Sequence, residues 1–332
     1  MPTRSVLSRI AGFARDAELG YPFTMGTNSL KLEGIFPPIP TPFGPDGEID
    51  VSALAGNLAW WSRFDLAGVV VLGSNGEAVL LEEDEKLRLV EAARTGSMED
   101  RAVIAGTGLP STAATIRLTR AAAGAGADAV LVLPPSYYRG QMTDDALDRH
   151  FRAVADASPV PVVIYNMPAC TGIDLGAELI VRLAAHENIV GLKDSGGDVA
   201  KLGRIHGALG DRFRILAGSA SFLLPALSVG AVGGVLALAN VAPWECVEIL
   251  RLASAGDVRG ARERQIRMIP PNTAVTRRWG VPGLKAAMDM RGLRGGPVRA
   301  PLSPLDDEPR DELRSILVTA GILDPDKEET TR

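Results

Sequence analysis

Lys193 stands at the end of a short apolar run, residues 189–192, near the middle of the chain. Burying an ammonium at the end of such a run is costly, which favours a neutral amine at this position. A neutral amine is a nucleophile that can form a Schiff base with a ketone. A lysine that leaves a strand can also extend its charge to solvent, so the accompanying residues must decide between the two interpretations.

Tyrosines in two other segments could assist a Schiff-base reaction. Tyr165 ends another apolar run, and a phenol beside the lysine could carry protons to and from a carbinolamine. The alternative for Tyr165 is a core tyrosine whose hydroxyl group has a hydrogen-bond partner. Tyr137 and Tyr138 follow a further apolar run, where they would lie at the edge of the same site.

Short turns rich in glycine, serine and asparagine could bind the carboxylate of a substrate. Ser74 and Asn75 lie between two glycines in segment 73–77, Gly-Ser-Asn-Gly-Glu, and such a turn exposes amide and side-chain donors. The same segment could be an ordinary Gly-Asn turn. Gly218 begins a second compact turn, and Ser195 lies two residues after the lysine. An amine, a proton carrier and an anion site together predict a 2-oxo acid as substrate.

Eight short runs rich in valine, isoleucine and leucine recur along the chain from Gly34 onward. Their apolarity is continuous rather than alternating, which is typical of strands buried on both faces of a parallel sheet. The predicted strands are 34–42, 68–72, 102–106, 129–133, 160–165, 189–193, 214–217 and 234–238. All of the candidate residues named so far fall at the C-terminal ends of these strands or just after them.

The segments between the strands predict helices. Asp50, Ser111 or Thr112, Asp174 and Asp198 each precede residues that share an apolar helical face, and we expect them to cap helices. Strand and helix alternating eight times with right-handed crossovers predict an α/β fold, the (β/α)8 TIM barrel, whose active sites lie at the C-terminal ends of the strands. The competing fold, a doubly wound open sheet, would place a glycine-rich turn after the first strand, where this chain has Pro-Thr-Pro-Phe.

The chain divides into four predicted parts. These are a flexible leader (1–31), the barrel (32–240), a helical C-terminal region packed on the barrel (241–322) and a mobile tail (323–332). Helices in the C-terminal region are predicted at 244–253, 258–268, 282–290 and 311–319. The leader is rich in arginine, as mitochondrial transit peptides are, but arginine is frequent throughout the chain, so we favour a cytoplasmic protein over a mitochondrial one.

Composition argues against several classes of function. The net charge of -5 provides no basic stripe for nucleic acid. No run of 18 apolar residues is present, so we expect no membrane span. The 2 cysteines lie far apart and predict no disulfide framework, and the 3 histidines show no zinc-ligand spacing, so we expect no metal.

Three motifs resemble those of the dihydrodipicolinate synthase and N-acetylneuraminate lyase family, over about residues 32–302. Segment 73–77 is similar to the family's G-x-x-G-E loop, segment 165–168 (Tyr-Asn-Met-Pro) to its tyrosine motif, and segment 191–195 (Gly-Leu-Lys-Asp-Ser) to its Schiff-base motif. The resemblance implies a class I, Schiff-base lyase on a TIM barrel that needs no metal or organic cofactor.

Within this family the chain looks most like the 4-hydroxy-2-oxoglutarate aldolases. The resemblance extends to Lys-Asp-Ser-Gly-Gly-Asp at 193–198, Leu-Ala-Gly-Ser-Ala at 216–220, Ala-Leu-Ala-Asn-Val at 237–241 and the segment 274–285. It implies an aldolase that cleaves 4-hydroxy-2-oxoglutarate to pyruvate and glyoxylate. It also implies a homo-oligomer, a homotetramer arranged as a dimer of dimers.

The same resemblance implies roles for individual residues. Lys193 would form the Schiff base, and Tyr165 would relay protons. Tyr137 would reach into the site of a neighbouring subunit, with Tyr138 as the alternative. The substrate-binding residues would be Ser74, Asn75, Ser195 and Gly218.

One position departs from the pattern of the synthases. Dihydrodipicolinate synthases place an arginine shortly after the tyrosine motif to hold the carboxylate of their second substrate, and this chain has Cys170 there. A cysteine cannot form a bidentate ion pair, which counts against the synthase reaction. The alternatives that stay open are that reaction, another pyruvate-dependent lyase or dehydratase reaction, and an inactive barrel that binds 2-oxo acids.

Overall fold

Eight strands form a single sheet in the computed structural model, which describes residues 30–96 and 100–325. The strands are β1 (Gly34–Phe36), β2 (Gly68–Val71), β3 (Ala102–Gly106), β4 (Ala129–Val132), β5 (Val162–Asn166), β6 (Ile189–Asp194), β7 (Arg214–Ala217) and β8 (Gly233–Val235). Each pairs in parallel with its neighbour, in the order β1-β8-β7-β6-β5-β4-β3-β2. All eight predicted strands are present.

Two prolines end β1 earlier than the sequence pattern predicts and lie where the barrel closes. Pro37 and Pro38 cannot donate hydrogen bonds to a neighbouring strand, so the regular pairing stops at Phe36. Their carbonyl groups can still accept hydrogen bonds, and Val70 N donates to Pro37 O at 2.9 Å. Ile39 N donates in turn to Val70 O at 2.9 Å. These bonds join β1 to β2 and complete the ring, which confirms the (β/α)8 TIM barrel.

Helices surround the strands and continue beyond them. They are α1 (Val51–Trp61), α2 (Glu83–Thr95), α3 (Thr112–Gly124), α4 (Asp144–Ala157), α5 (Pro168–Thr171), α6 (Ala177–Leu183), α7 (Val199–Leu209), α8 (Leu223–Leu227), α9 (Pro243–Ser254), α10 (Val258–Thr273), α11 (Gly280–Met290) and α12 (Asp307–Thr319). Asp50, Ser111 and Asp198 cap α1, α3 and α7 through their side chains, as predicted. None of the helices in the described residues is long and apolar enough to cross a membrane.

Asp174 does not cap a helix, and this prediction was wrong. Helix α6 begins at Ala177, and Gly176 occupies its N-cap position. The carboxylate of Asp174 instead accepts hydrogen bonds from Asn166 and Lys201. An aspartate before an apolar segment can either cap a helix or form an ion pair. Here it forms an ion pair, because the buried ammonium of Lys201 on α7 lies within reach.

The chain after β8 is helical, as predicted, with one local departure. Five residues between α10 and α11, Ala274–Arg278, form a π-helix. The predicted boundaries of the barrel and of the C-terminal region stay predictions. The predicted leader, apart from its last two residues, and the tail beyond residue 325 lie outside the described residues.

The buried side chain of His150 makes the stability of the fold depend on pH. Its ring is buried on α4; Nδ1 lies 2.9 Å from Thr112 Oγ1, and Nε2 has no hydrogen-bond partner among the described residues. Desolvation lowers the pKa of His150 from 6.5 to about 4. The unfolded chain therefore binds a proton at a higher pH than the folded chain. The stability from neutral His150 is complete above about pH 6.5 and is lost as the pH falls toward 4.

We expect the free energy of unfolding to fall by about 2 kcal/mol between pH 7 and pH 5 through His150 alone. Urea denaturation at the two pH values measures this loss. The His150→Leu variant should lose less stability over the same interval, because it has no imidazole to protonate. An equal loss in the variant and the wild type would contradict the assignment.

Candidate active site

Lys193 and Tyr165 lie side by side in the barrel. The register of β5 and β6 pairs the two residues, so their side chains leave the same face of the sheet. Lys193 is 3% exposed and Tyr165 is 4% exposed. The Lys193 Nζ atom lies 3.9 Å from the centre of the Tyr165 ring. The structure thus brings together the amine and the phenol that the sequence singled out, and it shields both from bulk water.

Lys193 differs from the other buried lysines in its partners. Lys201 and Lys285 are as deeply buried, and each forms an ion pair with a carboxylate. In the part of the chain that the structure describes, Lys193 has no such ion pair. Lys193 therefore differs from the other two lysines in that its amine faces an aromatic ring rather than a carboxylate.

Asn166 and Asp194 follow Tyr165 and Lys193 in their strands and point to the opposite face of the sheet. Asn166 Nδ2 donates to Asp194 Oδ2 at 2.7 Å, and both residues are fully buried. The other oxygen of Asp194 accepts from Gly196 N at 2.8 Å. This amide–carboxylate contact joins the C-terminal ends of the two strands that carry the amine and the phenol.

Lys201 of α7 completes this buried network. Its Nζ atom lies 2.9 Å from Asp194 Oδ2 and 2.7 Å from Asp174 Oδ1. Burial opposes the charge of Lys201, but its hydrogen bonds to the two carboxylates outweigh burial and raise the pKa of the ammonium. Burial likewise opposes ionisation of Asp174, and hydrogen bonds from Lys201 and Asn166 lower its pKa overall. One cation shared by two carboxylates therefore sits directly behind the Lys193–Tyr165 pair.

Ser195 and Gly218, both predicted to line the substrate pocket, are in contact with each other. Ser195 N donates to Asn166 O at 2.8 Å, and Gly218 N donates to Asp194 O at 2.7 Å. A Cβ atom placed on Gly218 would collide with Ser195 Oγ, so only glycine allows this close approach. The turns after β6 and β7 are thus tied to the same strand ends as the buried network.

The predicted carboxylate-binding turn is a 3-10 turn, Ser74–Gly76, after β2. Ser74 and Asn75 are half-buried. Glu77 follows the turn in the left-handed conformation, with φ 54°, which is uncommon for a residue with a side chain. Thr41 Oγ1 donates to Gly76 O at 2.7 Å and fixes the turn against the segment after β1.

A buried ion pair with the C-terminal region holds Glu77 in this conformation. Glu77 Oε1 lies 2.6 Å from Lys285 Nζ, and Glu77 Oε2 accepts from Arg299 N at 2.8 Å. Burial lowers the pKa of Lys285 although Glu77 opposes the shift. The ring of Phe43 lies 4.4 Å from Lys285 Nζ and 4.3 Å from Arg299 Cζ. Helix α11 and the segment after it therefore stabilise the turn at the far side of the barrel mouth.

Tyr137 and Tyr138 are not enclosed with Tyr165. They pack edge to face with 5.1 Å between ring centres, and their side chains are exposed, Tyr137 at 82% and Tyr138 at 71%. The role of Tyr137 in a neighbouring subunit stays a prediction. Among the described residues, no group of three or more His, Cys, Asp or Glu side chains could hold a metal ion.

Sequence reasoning missed the supporting polar groups: Asn166, Asp194 and Lys201 behind the Lys193–Tyr165 pair, and Lys285 behind the turn. A signal for Asp194 was present, because side chains alternate along a strand and a carboxylate after Lys193 must point away from it into the layer of helices. The partners of the other groups are remote in sequence, and no local spacing connects them.

Comparisons with known proteins agree with this architecture. The model of the dihydrodipicolinate synthetase family matches residues 31–320. The 4-hydroxy-tetrahydrodipicolinate synthase of Methanothrix thermoacetophila is 38% identical over 296 residues, 89% of this chain and 99% of that protein. A probable mitochondrial 4-hydroxy-2-oxoglutarate aldolase of Emericella nidulans is 39% identical over 286 residues, 85% of this chain and 93% of that protein. The crystal structure of the Acinetobacter baumannii dihydrodipicolinate synthase with pyruvate has a TM-score of 0.83 and 32% identity, and covers 88% of this chain and 99% of its own.

The parallel barrel and the similarity to these relatives identify the protein as a carbon–carbon lyase. The chain belongs to the dihydrodipicolinate synthetase family, which confirms the resemblance seen in its motifs.

The substitution Lys201→Met tests the buried network. It leaves the carboxylate of Asp194 buried without its cation, and removing one partner of a buried ion pair costs about 3–5 kcal/mol. We expect the free energy of unfolding, measured by urea denaturation, to fall by about this amount. As a control, Arg259→Met removes an exposed ion pair with Glu263 and should change stability by less than about 1 kcal/mol. Equal, small changes in both variants would contradict the role assigned to Lys201.

Proposed function

We propose that this lyase is a class I aldolase that cleaves 4-hydroxy-2-oxoglutarate to pyruvate and glyoxylate. The observation that carries the proposal is the buried Lys193 amine against the Tyr165 ring at the ends of adjacent strands. The similarity to the probable 4-hydroxy-2-oxoglutarate aldolase supports the choice of substrate. The pyruvate held by the related Acinetobacter synthase supports a 2-oxo acid as the group that reaches the lysine.

The substrate binds through its C1 carboxylate. Ser74 and Asn75 supply hydroxyl and amide donors in a turn that Glu77 and Lys285 fix in place. Ser195 and the backbone around Gly218 line the opposite wall, where the turns after β6 and β7 meet. Because these groups are held by buried contacts, they are oriented before the substrate arrives.

Imine formation is the first chemical stage. The Lys193 amine attacks C2 of the substrate, and the former ketone oxygen becomes the hydroxyl group of a carbinolamine. Tyr165 donates its proton to that hydroxyl group, which leaves as water. The products of this stage are a protonated imine on Lys193 and a Tyr165 phenolate, so protons and charge balance.

Carbon–carbon cleavage follows from the protonated imine. The Tyr165 phenolate takes the proton of the C4 hydroxyl group, the C3–C4 bond breaks, and its electron pair moves into the imine to give an enamine. Glyoxylate leaves with a new carbonyl group at the former C4. Tyr165 then gives its proton to C3, and water hydrolyses the resulting protonated imine to pyruvate and the free Lys193 amine. The proton released in this hydrolysis returns to the Tyr165 phenolate, so the site is restored. General acid–base catalysis of this kind contributes about 10²–10⁴-fold.

An oligomer is part of the proposal. The exposed Tyr137 would enter the site of a neighbouring subunit and extend the proton relay, in a homotetramer built as a dimer of dimers. We place this assembly in the cytoplasm. An inactive barrel that binds 2-oxo acids is disfavoured, because Lys193 and Tyr165 are both retained and adjacent.

The dihydrodipicolinate synthase reaction is the second candidate. It is favoured by the 38% identity to the Methanothrix synthase. Cys170 is an exposed, free thiol on the short helix α5, and a thiol cannot pair with a carboxylate as an arginine does. This residue is the reason for ranking the aldolase reaction first.

Trapping with borohydride tests the nucleophile. In the presence of pyruvate, borohydride should reduce the imine on Lys193 to a stable secondary amine, which intact-mass and peptide-mass measurements locate. The Lys193→Ala variant should give no adduct, whereas Lys86→Ala, which removes a half-buried lysine on α2, should give the wild-type adduct. An adduct on Lys193→Ala would show that another residue is the nucleophile.

Product analysis tests the substrate. We expect the wild-type protein to release pyruvate and glyoxylate in equal amounts from 4-hydroxy-2-oxoglutarate. Pyruvate with aspartate semialdehyde should react far more slowly, because Cys170 offers no counter-charge to the carboxylate of that aldehyde. A preference for aspartate semialdehyde would replace the proposed aldolase reaction by the synthase reaction.

A further inference from the structure

The substrate proposed above carries a carboxylate at each end. The turn Ser74–Gly76 provides for one of them. The other leaves with glyoxylate and needs a cation near the opposite part of the barrel mouth, because an ionised carboxylate without a partner binds poorly once it is removed from water. Position 170 supplies no charge, so the cation must come from another element.

Arg139 lies close to this position, although it belongs to a different loop. It begins the 3-10 turn Arg139–Gln141 after β4, and its side chain reaches across to the segment after β5. A Cβ atom placed on Gly172 would lie 3.0 Å from Arg139 Cδ and 3.2 Å from Cζ. The guanidinium group therefore rests on the backbone of Gly172, two residues beyond Cys170.

Gly172 makes room for this contact. It caps the short helix α5 with φ 65°, a conformation that side chains other than that of glycine rarely adopt. The missing Cβ leaves space for the guanidinium group beside the strand that carries Tyr165. Arg139 thus reaches the place where the segment after β5 leaves the tyrosine motif.

Three other cations near the barrel mouth already have partners. Lys201 is shared by two aspartates, Lys285 pairs with Glu77, and Arg299 pairs with Glu85. Arg139 is exposed, and within residues 30–96 and 100–325 it forms no ion pair and no side-chain hydrogen bond. Its donors are free for a ligand.

We infer that Arg139 binds the distal carboxylate of the substrate and makes the site selective for a dicarboxylic 2-oxo acid. The inference rests on the proposed aldolase function. A guanidinium group offers two parallel N–H donors to a carboxylate, a geometry that a lysine cannot match. Arg139 thus offers a carboxylate partner on the β4 loop, at a position different from that of the synthases' arginine on the β5 loop.

The aldol condensation tests this inference, because its two aldehyde partners differ only in charge and a small substituent. Pyruvate is combined with glyoxylate, which carries the distal carboxylate, or with acetaldehyde, which has a methyl group instead. The ratio of kcat/KM for the two aldehydes is measured in the wild type, Arg139→Met and Arg139→Lys. The ratio cancels any common effect of a variant on imine formation.

Arg277→Met is the matched control. Arg277 is also exposed and without an ion pair in the described residues, but it lies in the π-helix that packs against the turn Ala237–Asn240 after β8. It is therefore near the barrel mouth on another side. Circular dichroism and thermal unfolding of each variant establish that the fold is intact.

We expect Arg139→Met to reduce the preference for glyoxylate by about tenfold or more, because a hydrogen bond to a charged group is worth about 1.5–3 kcal/mol. Arg139→Lys should retain part of the preference, and Arg277→Met should retain all of it. A wild-type preference that survives Arg139→Met, or that is lost in Arg277→Met instead, overturns the inference and leaves the proposed function in place. A wild type that does not use glyoxylate overturns the proposed function and the inference together.

Discussion

The contact between Asn166 and Asp194 joins the two strands on which the proposed chemistry depends. Tyr165 and Lys193 precede them in β5 and β6, so any shift between the strands would separate the phenol from the amine. Lys201 neutralises the buried carboxylate and links the strand ends to α7. The backbone of the same residues receives the turns that carry Ser195 and Gly218. A single buried polar network therefore sets the positions of Lys193, Tyr165 and the turns that carry Ser195 and Gly218.

Three buried lysines show how partners decide what a lysine does. Lys201 contacts two carboxylates and Lys285 contacts one, and both serve as fixed charges that hold loops in place. Lys193 faces an aromatic ring and has no ion-pair partner among the described residues. Burial is common to all three, so burial alone does not identify a nucleophile. The distinguishing feature is the counter-charge, which becomes visible only when distant parts of the chain are brought together.

The sequence predicted those parts of the structure that depend on local pattern. Continuous apolar runs predicted all eight strands, and short polar residues before amphipathic segments predicted the caps at Asp50, Ser111 and Asp198. The pattern failed where a tertiary contact competes with a local one, as at Asp174, whose carboxylate pairs with Lys201 instead of capping a helix. It also failed to anticipate Arg139 against Gly172, because nothing in the spacing of two loops indicates that their side chains meet.

The contacts of Glu77 with Lys285 and Arg299 affect the order in which the chain folds during its synthesis. The turn that Glu77 holds is synthesised early, whereas its two partners come from the last part of the chain. Domains generally begin to fold as they emerge, from the N-terminus. All eight strands can therefore be in place while the substrate turn still lacks its anchor. A nascent or truncated polypeptide that ends before residue 285 would contain Lys193 and Tyr165 but would lack both partners of Glu77.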